Sequence, residues 1–307
     1  MTAGRRSSRA RLRGVMTLAG EGTRMLPWSR GLRKEFLPLY DRGPDGAPVL
    51  KPIAHVVLEG FIAAGVTDAT LVVRPRDLST VREYFTVDPS FLARHRRHAE
   101  RLGETRRLYS QLRALRLRYA IQPHPAGFGD AVLRAEPNVG NAPFLLQASD
   151  GVILEPRTGA VHADLARLQE VGELAAVLLV RRVKDPRRYG VVEGTPAGRF
   201  RGRRRLTVSG MEEKPLRPRS HWAATALYAF SPRIFNALRA ARRRAHRRAE
   251  LELTAGIERL IDDGERVGAL VLDDPRAWRS VGSPEGYLRA LRATELRASG
   301  PMTRARR

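Results

Sequence analysis

Gly20 and Gly22 are separated by one residue within the run LAGEGTR (18–24), and Lys34-Glu35 follows ten residues after Arg24. The run starts as an apolar stretch containing Val15, Met16 and Leu18 ends, and that stretch reads as a strand. Glycine lets a backbone approach a ligand closely and turn its N–H groups inward. Such a nest neutralises phosphate oxygens, and Arg24 and Lys34 add full positive charges beside it. A plain glycine turn with surface cations accounts for the glycines alone. It does not account for their grouping with Thr23, Arg24, Pro27 and Lys34-Glu35, and this grouping predicts phosphate binding.

Two more polar groups stand where apolar runs end. Gln122 closes the run 118–122 and precedes a loop holding Pro123, Pro125 and Gly127. An amide offers both a donor and an acceptor, which suits a pyrimidine edge; the plainer alternative is a polar strand cap. Asp150 follows the run 144–148. A carboxylate at the carboxyl end of a strand is a good Mg²⁺ ligand when phosphates supply the other oxygens. The plainer alternative is a turn-forming Asp before Gly151.

The elements that must hold these groups alternate in the manner of an α/β fold. Strands are predicted at 14–19, 69–73, 118–122, 144–148 and 174–180. Helical periodicity in Ile53, Val56, Val57, Phe61 and Ile62 predicts a helix over 49–64, closed by Gly65. Later strands at 190–193, 206–213, 222–230 and 268–272 suggest a β-rich portion, and helices are expected over 253–263 and 284–298. A basic insertion over about 89–117 carries Phe91, Leu92, Leu102, Leu108, Leu112 and Leu115 at helical spacing, and reads as a surface helix pair with a solvated arginine face. The expected organisation is one domain over 13–299 between basic tails at 1–12 and 300–307.

The chain has 307 residues and a net charge of +24, enough to attract polyanions. The excess lies in local arginine runs such as Arg203–Arg205 and Arg242–Arg244, with no nucleic-acid motif or aromatic platform, so nucleic acid is not the expected partner. The absence of cysteine excludes disulfides and thiolate chemistry. No apolar run reaches the length of a membrane span, and the start lacks the apolar core of a secretory signal; the expectation is a cytoplasmic protein.

Several segments, taken in order, resemble the sugar-1-phosphate nucleotidyltransferases, most of all the bacterial-type UTP–glucose-1-phosphate uridylyltransferases. They are LAGEGTRMLPWSRGLRKEFLPLYD (18–41), IQPHPAGFGDAVL (121–133), LLQASDGVIL (145–154), YGVVE (189–193), MEEKPLRPRSHWAATALYAF (211–230) and WRSVGSPEGYLRAL (278–291). The resemblance implies a mixed, mostly parallel Rossmann-like (GT-A-like) α/β sheet flanked by helices, with a β-rich sugar-binding portion. It implies UMP transfer from UTP to a hexose 1-phosphate, with glucose 1-phosphate expected, giving a UDP-sugar and pyrophosphate with Mg²⁺ as cofactor. Members of this family often self-associate.

By the same resemblance Arg24 and Lys34 are catalytic cations. Ala19, Gly20, Gly22, Thr23, Gln122 and Gly127 hold the nucleotide. Gly190, Glu213 and Lys214 hold the sugar phosphate, and Asp150 binds the metal. EEKPLRPRS and the QPHPAG loop resemble thymidylyltransferases, whereas Lys34-Glu35 and the helical insertion resemble the uridylyl enzymes; UTP is preferred on the insertion, with dTTP as the alternative.

The chain departs from the family pattern at four places. Ser280 stands where a second metal-ligand aspartate is usual, which raises the alternative of a catalytically weak nucleotide-sugar-binding homologue, with Asp273 and Asp274 as the nearby carboxylates. Arg33 replaces a proline and is expected to add a cation near the triphosphate. His221 replaces an asparagine, and Ala226 a glycine, on the sugar side.

Overall fold

The computed structural model describes residues 11–244, 249–274 and 276–300. Most of the two expected basic tails, at 1–10 and 301–307, lies outside them. The first tail gives way earlier than expected, since Leu12 already packs against the core.

The strands in chain order are β1 (Arg13–Thr17), β2 (Pro38–Arg42), β3 (Pro48–Pro52), β4 (Asp68–Val73), β5 (Arg116–Ile121), β6 (Phe144–Ala148), β7 (Gly151–Ile153), β8 (Ala176–Arg182), β9 (Gly190–Phe200), β10 (Arg203–Glu213), β11 (Trp222–Phe230), β12 (Val267–Val271) and β13 (Trp278–Ser280). Nine of them form one sheet in the order β5-β4-β1-β6-β11-β8-β12-β10-β9. In that sheet β10 and β11 run against the other seven, so the fold is the mixed, mostly parallel α/β sheet expected.

Alternation along the strands feeds two cores. Val15, Phe144, Leu146, Leu178 and Val180 point to one face of the sheet, and Met16, Leu145, Val177 and Leu179 to the other. Helices Phe128–Arg134, Arg233–Arg244 and Leu253–Asp262 cover the first face. Helices Ile53–Ala63, Gly103–Ala114 and Ala160–Val171 cover the second. Burial on both faces is why the strands read as nearly continuous apolar runs.

The helix expected over 49–64 is shorter than its periodicity suggested. Pro52 pushes Lys51 into extended geometry, so the chain pairs as a β2–β3 hairpin with Leu39 opposite Lys51, and the helix begins at Ile53. The insertion contains helix Pro89–Arg94, a 3₁₀ segment Arg96–Arg101 and helix Gly103–Ala114, while 116–117 belong to β5. Its long helix turns Leu108 and Leu112 to the core and leaves Arg106, Arg107 and Arg113 exposed, the solvated arginine face expected. Glu104 and Arg107 reach a buried charged cluster in which Lys51 Nζ lies 2.8–3.1 Å from Asp41, Glu59 and Glu104.

One irregularity bears on the site. In β11, Ala224 faces Val180 and Tyr228 faces Leu178, so two residues are extra and bulge out. Ala226 sits in that bulge with φ 56°, a left-handed backbone that favours glycine.

Candidate active site

The carboxyl ends of β1, β5 and β6 open onto a cleft of about 410 Å³. Ala19, Gly20, Gly22, Thr23, Lys34, Gln122, Gly127 and Asp150 all line it, together with Ala226 from the β11 bulge. This is where an open α/β sheet places a ligand.

The 18–24 loop is shaped from beneath. Arg33 is buried, and its guanidinium donates to Leu18 O and, at 3.1 Å, to Gly20 O. Ser29 Oγ and Met25 N–H donate to Gly22 O at 2.8 Å. With these carbonyls occupied below, the N–H groups of residues 19–22 make no hydrogen bond among the described residues. Gly22 has φ 69°, and a Cβ there would lie 3.2 Å from Ser29 Cβ and 3.5 Å from the Lys34 stem. A Cβ on Gly20 would meet nothing within 4 Å, so the backbone there is open to a ligand.

Arg33 thus differs from the expected free cation. It pairs with Glu35 at 3.1 Å and Asp77 at 3.4 Å and braces the loop from below. Burial lowers its pKa, and Glu35 and Asp77 oppose that shift. Lys34 lines the cleft, with Nζ 3.1 Å from Glu35.

Gln122 is buried, and its amide N–H groups donate to Gly127 O at 3.1 Å and Asp130 Oδ2 at 2.9 Å. Both partners are pure acceptors, which fixes the amide orientation and leaves Oε1 as its acceptor. Gly127 has φ 99°, and a Cβ there would come within 2.7 Å of Leu251 N. Its need for glycine therefore comes from the protein's own backbone as well as from any ligand. Leu251 N donates to Ala126 O at 2.8 Å, and Gly129 N donates to Leu251 O at 2.7 Å. This clamp brings Glu250 and Glu252 into the cleft wall, residues that the sequence reading missed.

Asp150 follows β6, and its carboxylate has no hydrogen-bond or ion-pair partner among the described residues. Its backbone O accepts from Val281 N at 2.8 Å, and Ser280 pairs with Gly151 across β7 and β13. Ser280 is therefore beside Asp150, but its Oγ accepts from Gly282 N–H at 3.3 Å. Arg24 does not line the cavity itself. A Cβ on Gly282 would lie 3.0 Å from Arg24 Nη2 and 3.6 Å from Asp150 Cβ, which puts the guanidinium at the cleft's rim near Asp150. Asp273 pairs with Arg204 at 2.6 Å, Asp274 accepts from Arg276 N at 2.8 Å, and neither lines the cleft.

Gly190, Glu213 and Lys214 lie together beyond the cavity wall. Glu213 and Lys214 pair at 3.0 Å, and a Cβ on Gly190 would sit 3.3 Å from Glu213 Oε2. The Glu213 hydrogen bond raises the Lys214 pKa, with Glu252 and Glu250 adding to it. Burial raises the Glu252 pKa, and Glu213 raises it further. Burial also pushes the Tyr228 phenol up, aided by Glu213, Asp150 and Glu252. A Cβ on Gly190 would also lie 3.1 Å from Thr254 Cγ2, two residues beyond Glu252 of the cleft wall.

The residues present fit one divalent cation: Asp150 is a free carboxylate, and a bound polyphosphate would supply the remaining oxygens. The cluster His55, Glu59 and Glu104 has ligand-like spacing, but Lys51 already supplies its cation.

The pattern of the nucleotidyl transferase family matches residues 13–296, across which this site is built. The chain belongs to that family. A glucose-1-phosphate thymidylyltransferase of Neisseria gonorrhoeae is 26% identical over 274 residues, covering 89% of this chain and 79% of the relative. One from Mycolicibacterium smegmatis is 27% identical over 289 residues, covering 93% and 84%. Among solved structures, a UDP-glucose pyrophosphorylase complexed with UDP-glucose superposes with a TM-score of 0.77 at 22% identity, covering 93% of this chain and 99% of that one. A UTP-bound enzyme from Acinetobacter baumannii gives 0.75 at 22% identity, covering 95% of each chain. At that identity the structural likeness is one of fold. The nucleotidyltransferase contains, among its described residues, no helix long and apolar enough to cross a membrane.

Proposed function

We propose that this nucleotidyltransferase transfers UMP from UTP to a hexose 1-phosphate, with glucose 1-phosphate as the simplest acceptor. What supports the reading is a cleft that gathers an N–H-lined loop, a fixed amide acceptor and a free carboxylate, with the Gly190–Glu213–Lys214 group beyond its wall.

A phosphate oxygen of the sugar phosphate attacks the α-phosphorus. A new P–O bond forms, the α–β bridge breaks, and pyrophosphate leaves with the electron pair. The protein's work is positioning and charge stabilisation. The N–H groups of residues 19–22 cradle the phosphates, and Lys34 and Arg24 offset charge as it moves to the leaving pyrophosphate. Asp150 would hold Mg²⁺, which supplies Lewis-acid neutralisation of the phosphates. Gln122 Oε1 accepts from a base that carries an imide N–H, as uracil and thymine do and cytosine does not. Glu213 takes sugar hydroxyls, and Lys214 takes the sugar phosphate.

The helical insertion 89–117 supports UTP. A second reading, dTTP, is favoured by the glucose-1-phosphate thymidylyltransferases among the relatives. The test is pyrophosphate release from glucose 1-phosphate with UTP, dTTP, CTP or ATP in Mg²⁺. The reading expects release with UTP above dTTP and little with CTP or ATP. Faster release with dTTP replaces the nucleotide assignment, and release with CTP alone sinks the role of Gln122.

A further inference from the structure

Arg181, at the end of β8, is held unlike the surface arginines of this basic chain. Its guanidinium carbon lies 4.3 Å from the centroid of the Trp278 ring and 5.3 Å from that of Tyr189. Its Nη2 donates to Tyr189 Oη at 3.3 Å, and its Nε is buried without an acceptor. Both aromatic contacts lead to the site. Tyr189 precedes Gly190, and its carbonyl accepts from Lys214 N at 3.0 Å. Trp278 Nε1 donates at 3.2 Å to Thr225 O, next to Ala226 in the cleft wall, and a Cβ on Gly151 would sit 2.7 Å from that nitrogen.

A groove of about 780 Å³ opens beside this group, lined by Arg181, Arg182, Lys184, Asp185, Tyr189 and His221. Its carboxylate, Asp185, is held by Arg187 at 2.9 Å. Among the described residues no carboxylate pairs with Arg181, Arg182, Lys184 or Arg279. Burial lowers the Arg181 pKa, and the nearby Arg279 lowers it further. Like charges gathered without counter-ions disfavour the empty state, and an arriving anion relieves that cost. A guanidinium stacked on rings presents in-plane donors in a fixed fork, which match a carboxylate or phosphoryl group.

We propose that the acceptor is a hexose 1-phosphate with a second anionic group, distant from the anomeric phosphate, which Arg181 binds. This rests on the nucleotidyl-transfer reading above and names the substrate class for its sugar side.

The test compares kcat/KM for glucose 1-phosphate, glucuronic acid 1-phosphate and glucose 1,6-bisphosphate, with UTP and with dTTP. The proposal expects one charged acceptor to exceed glucose 1-phosphate by at least about tenfold. The preferred acceptor identifies the group as carboxylate or phosphoryl. In Arg181→Met that ratio should fall at least about tenfold, whereas a purely structural defect would lower all three acceptors together. Arg181→Gln, which keeps a polar side chain over the rings, serves as a second variant should Arg181→Met fail to fold. Equal or better use of glucose 1-phosphate overturns the proposal and leaves the nucleotidyl-transfer reading standing. Turnover with no sugar phosphate removes that reading. The anionic-sugar proposal then falls unless calorimetry shows tighter binding of UDP-glucuronate than of UDP-glucose.

Discussion

Arg33→Met keeps an apolar stem beneath the 18–24 loop and removes the guanidinium. The arginine meets Leu18 O, Gly20 O, Glu35 and Asp77 from a buried position. Asp77 keeps Arg74 at 2.6 Å, so it loses little. Glu35, 1% exposed, keeps Lys34 at 3.1 Å and Ser149 at 3.2 Å on Oε1, while Oε2 loses its ionic partner. Removing one partner of a buried ion pair costs about 3–5 kcal/mol, and the contacts Glu35 retains place this case near about 3 kcal/mol. Two loop carbonyls also lose donors, each bond to a charged group being worth roughly 1.5–3 kcal/mol. The ion pair alone sets a floor of about 3 kcal/mol, and the carbonyl losses, which overlap with it, add to that. Urea denaturation should show a lower midpoint at unchanged slope, and the KM for the nucleotide should rise because the loop loses its brace. Glu35→Gln and the double variant complete a cycle in which the losses should be less than additive. A loss below about 1 kcal/mol with unchanged KM would refute the brace.

Gly127→Ala should cost roughly 2–4 kcal/mol in the same urea assay, because it forces φ 99° on alanine and drives a methyl into the Leu251 backbone. His162 is buried, and burial lowers its pKa to about 4 from 6.5. Between those values the unfolded chain takes up a proton that the folded chain refuses. Stability is therefore full above pH 6.5 and falls by about 3 kcal/mol as pH drops to about 4. His162→Gln should flatten that part of the stability–pH curve, and an unchanged slope would count against it. Ser280→Asp sets a second carboxylate beside Asp150, and the Mg²⁺ concentration for half-maximal rate should fall about tenfold. No change would mean that Ser280 does not face the metal.

What could be read from sequence was local. Gly20, Gly22, Gln122 and Asp150 each follow an apolar strand, and residues at strand ends in an α/β sheet share one edge, so the cleft was legible. The interruption of helix 49–64 was written in Pro52, but the apolar period across 53–62 masked it. The remainder depended on partners distant in sequence. Leu251 on Gly127, and with it Glu250 and Glu252 in the wall, follows from a clamp between segments more than a hundred residues apart. The Arg33 brace depends on a side chain folding back to the carbonyls of Leu18 and Gly20, for which no pattern of residue types gives a signal. The stacking of Arg181 on Trp278 likewise joins β8 to β13, which share no pairing.

The most direct measurement is a crystal structure of the protein soaked with UDP-glucose and Mg²⁺. The account expects the uracil imide within hydrogen-bond distance of Gln122 Oε1, the diphosphate over the N–H groups of residues 19–22, and the hexose between Gly190 and Glu213. A nucleotide whose base lies away from Gln122, or whose phosphates avoid the 18–24 loop, would contradict it.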